Sequence, residues 1–580
     1  MLSEPPSKSK PQASLSKLPE PAPPKPTSLS TDPPSPLYTI FTVREKRLLT
    51  LLLGLTTITS PLTATIYFPL LPLLSTHYHA SPQAINLTIT IYIIFQALSP
   101  AIFATLSDSL GRRIVYLITL TLYVLSNLGL ALEHNSYATL VVLRAFQSLG
   151  ASAAFAVSYG VVADVCVPAE RGKMVGPVSM ALNLGTCVGP IVGGWVAFKS
   201  GDYNWVFWFL VVIGIILLVA VGGLLPETAR TVVGNGSVKT QRWWERTWLS
   251  FLRDRSKRTG GNTARSAGRE EDPKPRMSDG NCGETAQSKI NAATEAMART
   301  GRTVKMLNPL PCLRVILWKD AALVLWMHAS YYMVDYSIQT SIPSSFKDIY
   351  HFNELEIGLA YLPRGIGIIS GGYVNGKLMD RNYRTSAKEI GLTIDRERGD
   401  DLQQFPIERA RTRGSWYLLA ILTGALIGYG WALDQRSHVS IPLLLQFIQG
   451  FLGTSIYTIF NTLLVDVFPE SPSTAAAAAS ISRCALAASG VAAVQPLVGV
   501  LGRGWYFTAL AVLTGGVGSV VIWLIREWGA KWRHERVAKT TRACGKNDAG
   551  EAGLKDQARL PGGTREEKLS KDVAGAATTS

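Results

Sequence analysis

The 580-residue chain alternates between two kinds of segment. Apolar stretches lie near 48–72, 84–106, 114–132, 138–163, 174–198, 204–225, 320–343, 356–379, 415–433, 440–465, 474–500 and 504–525. At 1.5 Å per residue, each is long enough to cross about 30 Å of hydrocarbon. The runs are continuous rather than alternating, which favours helices over barrel strands. The pattern predicts an all-α polytopic membrane protein of 12 transmembrane helices in two six-helix bundles, 48–225 and 320–525. Polar segments separate and flank them: a tail 1–47, a central loop 226–319, a shorter loop 381–414 and a tail 526–580.

Residues 1–36 hold eleven prolines and eight serines, too polar to bury a core, so a disordered tail is expected. It lacks the short apolar core of a signal peptide, and the first span reads as an uncleaved anchor. Within the central loop, 254–305 reads as disordered. By contrast, 241–251 places Trp243, Trp244, Trp248 and Phe251 at helical spacing beside Arg242 and Arg246. That fits an interfacial amphipathic helix or a helix packed under the bundle. The tail beyond 527 reads as disordered after its first turns.

Composition sharpens this picture. Only 17% of residues are charged and 47% are hydrophobic, which excludes a soluble multidomain enzyme, a fibrous protein and a disordered chain. The net charge of +16 belongs to the loops and does not indicate nucleic acid. The segment 226–319 alone holds 18 Lys and Arg against 9 Asp and Glu. Short loops on the other side carry only Lys199, Lys347, Arg436 and Arg503. The positive-inside rule therefore places both termini and the central loop in the cytoplasm. The six cysteines form no CxxC pair, so neither a structural zinc site nor any other metal or cofactor is expected.

Several constellations could carry chemistry. Asp108, Gly111, Arg112 and Arg113 form a tight acid-then-cation turn after span 2, either a latch or plain positive-inside anchoring. A weaker echo, Gly376, Asp380 and Arg381, follows span 8 and suggests an internal repeat. Span 4 carries Arg144 and Gln147; a membrane-embedded arginine costs several kcal/mol unless paired or hydrated. It could tune a proton-binding acid, hold a substrate anion, or snorkel outward. Span 7 carries Asp335, the acid deepest in any span, among Tyr332, Tyr336, Gln339 and His328. Burial suits a carboxyl that gains and loses a proton, and the aromatics could stack on a planar substrate. Pairing of Asp335 with Arg144 or His328 for assembly alone is the plainer alternative. In span 5, Gly185, Gly189 and Gly193 make one small-residue face, with Pro190 and Gly194 beside it. Further polar positions, Gln96, Asn127, Asn183, Gln449, Asn461, Arg483 and Gln495, are candidates to line a cavity. Arg364 is placed in the outer part of span 8, within reach of the interface. Asp466 and Glu470 are placed at the end of span 10, with Arg483 a candidate partner.

Three signals are set aside. Gly371–Leu378 nearly spells a phosphate loop, but Leu378 replaces the magnesium-binding hydroxyl residue. His77 and His79 lack further ligands, and the sequon at Asn235 falls on the cytoplasmic side. No paired acids, HExxH or nucleophile motif occurs in the spans, so no enzyme is expected.

These residues resemble the major facilitator superfamily, and more narrowly its twelve-span drug:proton antiporter family in a fungal quinidine-resistance-like branch. The resemblance covers roughly 45–235 and 310–526. It rests on Ala104–Arg113 against GxLaDrxGrrk, with Ala104 and Ser109 departing from it. It rests also on Arg144–Ala151 against RxxQGxGa, with Ser148 departing, and on a complete GxxxGPxxGG at 185–194. It implies two bundles rocking about a midplane site and a monomeric plasma-membrane multidrug exporter exchanging small molecules for protons. A vacuolar membrane is the alternative location. In that picture Asp335 binds the proton, Arg144 tunes it, 185–194 is hinge and seal, and Asp108 with Arg112 is the cytoplasmic gate. An uptake symporter and a transporter-like receptor are the rival readings.

Overall fold

The computed structural model describes residues 39, 41–133, 135–166, 171–233, 247, 310–390, 406–468 and 472–559. The expectations for 1–38, the Trp-rich 241–251, most of the central loop, 391–405, Glu470 and the last 21 residues lie outside the described residues.

Each of the twelve apolar stretches is helical. The first is built from α1 (Val43–Thr57), α2 (Thr59–Thr65), a 3-10 turn (Phe68–Leu70) and α3 (Leu71–His77). Then follow α4 (Pro82–Leu110), α5 (Arg112–Leu132), α6 (Tyr137–Val165), α7 (Arg171–Ser200), α8 (Asn204–Leu224) and a short α9 (Arg230–Val233). The second half runs α10 (Leu310–Leu317), α11 (Lys319–Tyr350), α12 (Glu354–Leu359), α13 (Leu362–Ile390), α14 (Ile407–Arg411), α15 (Ser415–Asp434) and α16 (Ser440–Val467). It ends with α17 (Pro472–Ala511) and, after a π turn, α18 (Val517–Arg559). No strand occurs among the described residues.

Local chemistry sets the boundaries. Thr42 and Glu45 form a reciprocal capping box that starts α1. Ser81 caps α4 ahead of Pro82 at its first position. Gly111, at φ 113°, makes the turn between α4 and α5. A Cβ there would sit 2.5 Å from the Glu227 carboxylate, so glycine is required by both conformation and space. Gly502, at φ 77°, breaks α17, so that one helical run holds the last two spans.

By length and composition, nine segments among the described residues are apolar enough to cross a membrane, one of them being the double-length run Thr474–Lys539. Helices α11 and α13 fall short of that threshold because they carry polar side chains, among them Asp335, Gln339 and Arg364. Large side chains such as Ile216 and Val219 in α8 are 61% and 55% exposed, which suits contact with lipid.

Two polar boundaries differ from expectation. Helix α13 runs on to Ile390, into the loop expected from 381. Helix α18 runs to Arg559, where the tail was expected to be disordered after its first turns.

Each half has its own apolar core, and a third cluster is shared by both. The shared cluster lies at the end of the bundle away from residue 43. There Phe68 stacks on Tyr361, with centroids 5.9 Å apart and planes 7° apart, and meets Tyr336 edge-on at 6.3 Å. Helix α7 closes the same end. Gly185, Gly189 and Gly193 lie against Ile58–Ile66, within the first half. On another face of α7, a Cβ on Gly194 would come within 3.1 Å of the Gly358 Cα, and one on Gly358 within 2.6 Å of the Pro190 carbonyl. The five motif positions thus join α7 to its own half and to the other half together. Nearer the other end of α7, Asn183 is exposed and Met180 is 67% exposed. The halves are packed together at the end away from residue 43.

Candidate functional site

Helix α11 brings Asp335 to the middle of the molecule. Its carboxylate forms an ion pair with Arg364 of α13, and the second oxygen accepts a hydrogen bond from Gln339 Nε2 at 2.9 Å. Asp335 is 31% exposed and Arg364 only 2%. The expected tuner of Asp335 was Arg144, and Arg364 was expected to reach the interface. Both expectations are corrected: the break at α12 turns Arg364 inward, where an unpaired guanidinium would be costly and the carboxylate compensates it.

Arg144 is fully buried among aromatics instead of snorkelling outward. Its guanidinium carbon lies 4.0 Å from the Tyr67 ring centroid and 4.6 Å from that of Tyr92. Nη1 donates to Gln147 Oε1 at 2.7 Å, and Gln147 Nε2 donates to Asn127 Oδ1 at 2.7 Å. No carboxylate reaches Arg144 among the described residues, and its Nε and Nη2 have no hydrogen-bond acceptor. Two ring faces attract the cation but satisfy none of its N–H groups. The site therefore keeps a desolvated positive charge with two donors to offer.

A second guanidinium stands in the other half. Arg483, in α17, donates from Nη1 to the Tyr457 hydroxyl at 2.8 Å and lies 5.1 Å from the Tyr332 ring centroid. Its Nε has no acceptor, and no acid reaches it among the described residues. Its candidate partner Asp466 pairs instead with Arg411, at 2.9 Å. The two arginines are bridged by tyrosines. Tyr332 donates to the Tyr336 hydroxyl at 3.4 Å, and Tyr336 lies within electrostatic reach of Arg144. His328 stacks on Tyr457 at 4.2 Å, next to Arg483 and not on Asp335. Of the predicted site residues, Arg144, Gln147, Tyr332, Tyr336, Asp335, Gln339 and His328 thus cluster, while Asn183 lies apart, exposed on α7.

At the end bearing residue 43, each half holds a charged lock. In the first, Arg112 Nε meets Asp164 at 2.9 Å and its Nη2 meets Asp108 at 2.6 Å. Asp108 is 63% exposed and Asp164 only 11%, so the more enclosed acid is Asp164. Glu227, just past α8, accepts from the backbone N–H groups of Arg112, Arg113, Thr228 and Ala229. It neutralises the start of α5. Arg113 donates to the carbonyls of Val221, Gly222 and Leu225.

The second half repeats this with other residues: Arg411 meets Asp466 at the end of α16 as Arg112 meets Asp164 at the end of α6. Arg533 of α18 pairs with Glu408 at 3.0 Å, and Arg536 with Asp320 at 2.9 Å. The expected counterparts Gly376, Asp380 and Arg381 lie on α13, with Asp380 and Arg381 exposed and in no ion pair among the described residues.

The family profile described as Major Facilitator Superfamily matches residues 53–394. The chain belongs to the Major Facilitator Superfamily. It is 34% identical over 504 residues to the MFS-type transporter phiD of Fungal sp. (strain ATCC 74256), covering 87% of this chain and 71% of that one. It is 32% identical over 522 residues to Citrate exporter 1 of Aspergillus niger, covering 88% and 92% respectively. Among solved structures, the xylose transporter XylE from E. coli, in a partially occluded inward-open conformation, superposes with TM-score 0.53 at 14% identity. That superposition covers 83% of this chain and 97% of XylE, and shows the shared fold. The protein is therefore a multi-pass membrane transporter of the superfamily, whose relatives are transporters and not enzymes.

The sequence reading misplaced one part of this arrangement and passed over two others. Arg364 was readable as a membrane-embedded arginine, the same signal that singled out Arg144. Glu227 fell within the segment 226–319, read as loop. Tyr67 and Tyr92 carried no signal, because a tyrosine beneath an arginine looks like any core aromatic until the helices are packed.

Proposed function

We propose that this transporter exports small organic anions from the cytosol by alternating access. The observation that carries the reading is the pair Arg144 and Arg483: two guanidiniums, one per half, Arg144 with Nε and Nη2 unmatched and Arg483 with Nε unmatched, and no acid paired with either among the described residues. Asp335, the acid nearest them among the described residues, is already engaged by Arg364. The centre is net positive, which repels planar cationic drugs and attracts carboxylates. The likeness to Citrate exporter 1 supports an organic acid. An inside-negative membrane potential drives such an anion outward. The positive-inside reading puts the basic loops in the cytosol, and the plasma membrane is the proposed location, with a monomer as the working unit.

A second reading concerns coupling. The complete glycine motif at 185–194 and the drug:proton antiporter resemblance favour exchange for protons, with Asp335 as the proton site. Direct electrostatics acts the other way. A proton on Asp335 frees Arg364 and makes the centre more attractive to an anion, so both ligands favour one state. Exchange then requires the two ligands to select opposite conformations.

Inside-out vesicles test both readings. Labelled carboxylates and cationic drugs are offered outside while a lumenal dye reports pH. Carboxylate accumulation supports export. Proton loss from the lumen marks exchange and proton gain marks co-transport. Accumulation of cationic drugs alone would overturn the anion reading.

A further inference from the structure

Helix α13 presents one continuous face that changes character along its length. Ile366, Ile369 and Tyr373 are 49%, 44% and 67% exposed, as lipid-facing side chains are. At 100° per residue, the same face continues through Lys377, Arg381, Arg384 and Lys388, all exposed, with Asp380 the one acid among them. The Lys377 ammonium lies back over the Tyr373 ring, 4.4 Å from its centroid. An aromatic ring beneath a lysine marks the depth where hydrocarbon gives way to headgroups. Trp416 and Tyr417, 39% and 79% exposed at the start of the neighbouring α15, mark the same end. From Lys377 to Lys388 the helix rises about 16 Å, enough to carry the cations through the headgroup layer.

We propose that this stripe binds an anionic phospholipid headgroup of the adjoining leaflet. Four cations against one acid supply the charge complement. Their continuity with an exposed apolar surface selects a membrane-held ligand over a soluble one, since Ile366, Ile369 and Tyr373 offer its acyl chains an adjoining apolar face. The described carboxylate nearest the far end, Glu389, is taken by Arg413 at 2.7 Å, and no acid among the described residues pairs with Arg384 or Lys388. This proposal is independent of the transported substrate.

The test is native mass spectrometry of the full-length protein titrated with phosphatidylserine, with phosphatidylcholine as reference. The double substitution Arg384→Gln and Lys388→Gln should weaken phosphatidylserine binding about fivefold per cation removed. Phosphatidylcholine binding and the thermal midpoint without anionic lipid should stay unchanged. Equal phosphatidylserine binding by both proteins would overturn the proposal. So would suppression of binding by millimolar inorganic phosphate, which would make the ligand a soluble anion. A lower midpoint of the variant without anionic lipid would also overturn it, by showing that the stripe is held by the chain's own acids.

Discussion

The carboxylate of Asp335 meets the guanidinium of Arg364, and this pairing decides the charge of the transporter's centre. It cancels one arginine and one acid. Arg144 and Arg483 are left without an acid among the described residues, and the proposal makes them the charges a substrate meets.

Arg144 should therefore be sensitive to shape as well as charge. Arg144→Lys keeps the cation but loses the planar fork between Tyr67 and Tyr92. Substrate kcat/KM measured in vesicles should drop about tenfold, the worth of one charge-assisted hydrogen bond. Arg144→Gln should lose more.

Asp335→Asn leaves Arg364 buried without its counter-ion. If Asp335 carries the proton, the variant should lose pH-driven flux yet retain binding of carboxylates, read by displacement of a labelled substrate. Retention of full pH-driven flux would remove Asp335 from the coupling.

Gly194→Val forces α7 away from Gly358, where even a Cβ has no room. The end that is packed here should then fail to close. A cysteine placed near Tyr361 should react faster with a water-soluble maleimide than in the unsubstituted transporter, while substrate turnover falls.

The lock on α18 gives a pH prediction. Burial raises the Glu408 carboxyl above its ordinary range, while Arg533 pulls it down and only partly compensates. A raised folded-state value means that this group's contribution to stability is complete below the ordinary carboxyl range and fades as pH rises through the raised value. Arg533→Met removes the compensation and should cost about 3–5 kcal/mol near neutral pH. The cost should shrink as the pH falls and Glu408 protonates. Thermal midpoints of both proteins across pH 4–8 check the sign.

Much of the fold was legible because hydrocarbon imposes a single rule on every span: apolar side chains outward and backbone groups paired within the helix. That rule located all twelve helical stretches and the small-residue face of α7. It also singled out Asp335 and Arg144 as costly residues needing a reason. It could not pair them, because Arg364 reaches Asp335 only through the break between α12 and α13. Nor could it find the second half's lock. The echo at Gly376–Arg381 copied the letters of the first lock, whereas the geometry is reproduced by Arg411 and Asp466. Extra-membrane helix was harder still to read, since charged residues in α18 resemble a disordered tail until Arg533 and Arg536 meet their acids.

The most direct test is calorimetric binding to the purified transporter, comparing a tricarboxylate with a planar cationic drug. The account predicts that the tricarboxylate binds, that the drug does not, and that Arg144→Gln and Arg483→Gln each weaken tricarboxylate binding at least about tenfold. Drug binding that is indifferent to both arginines, with no tricarboxylate binding, would contradict it.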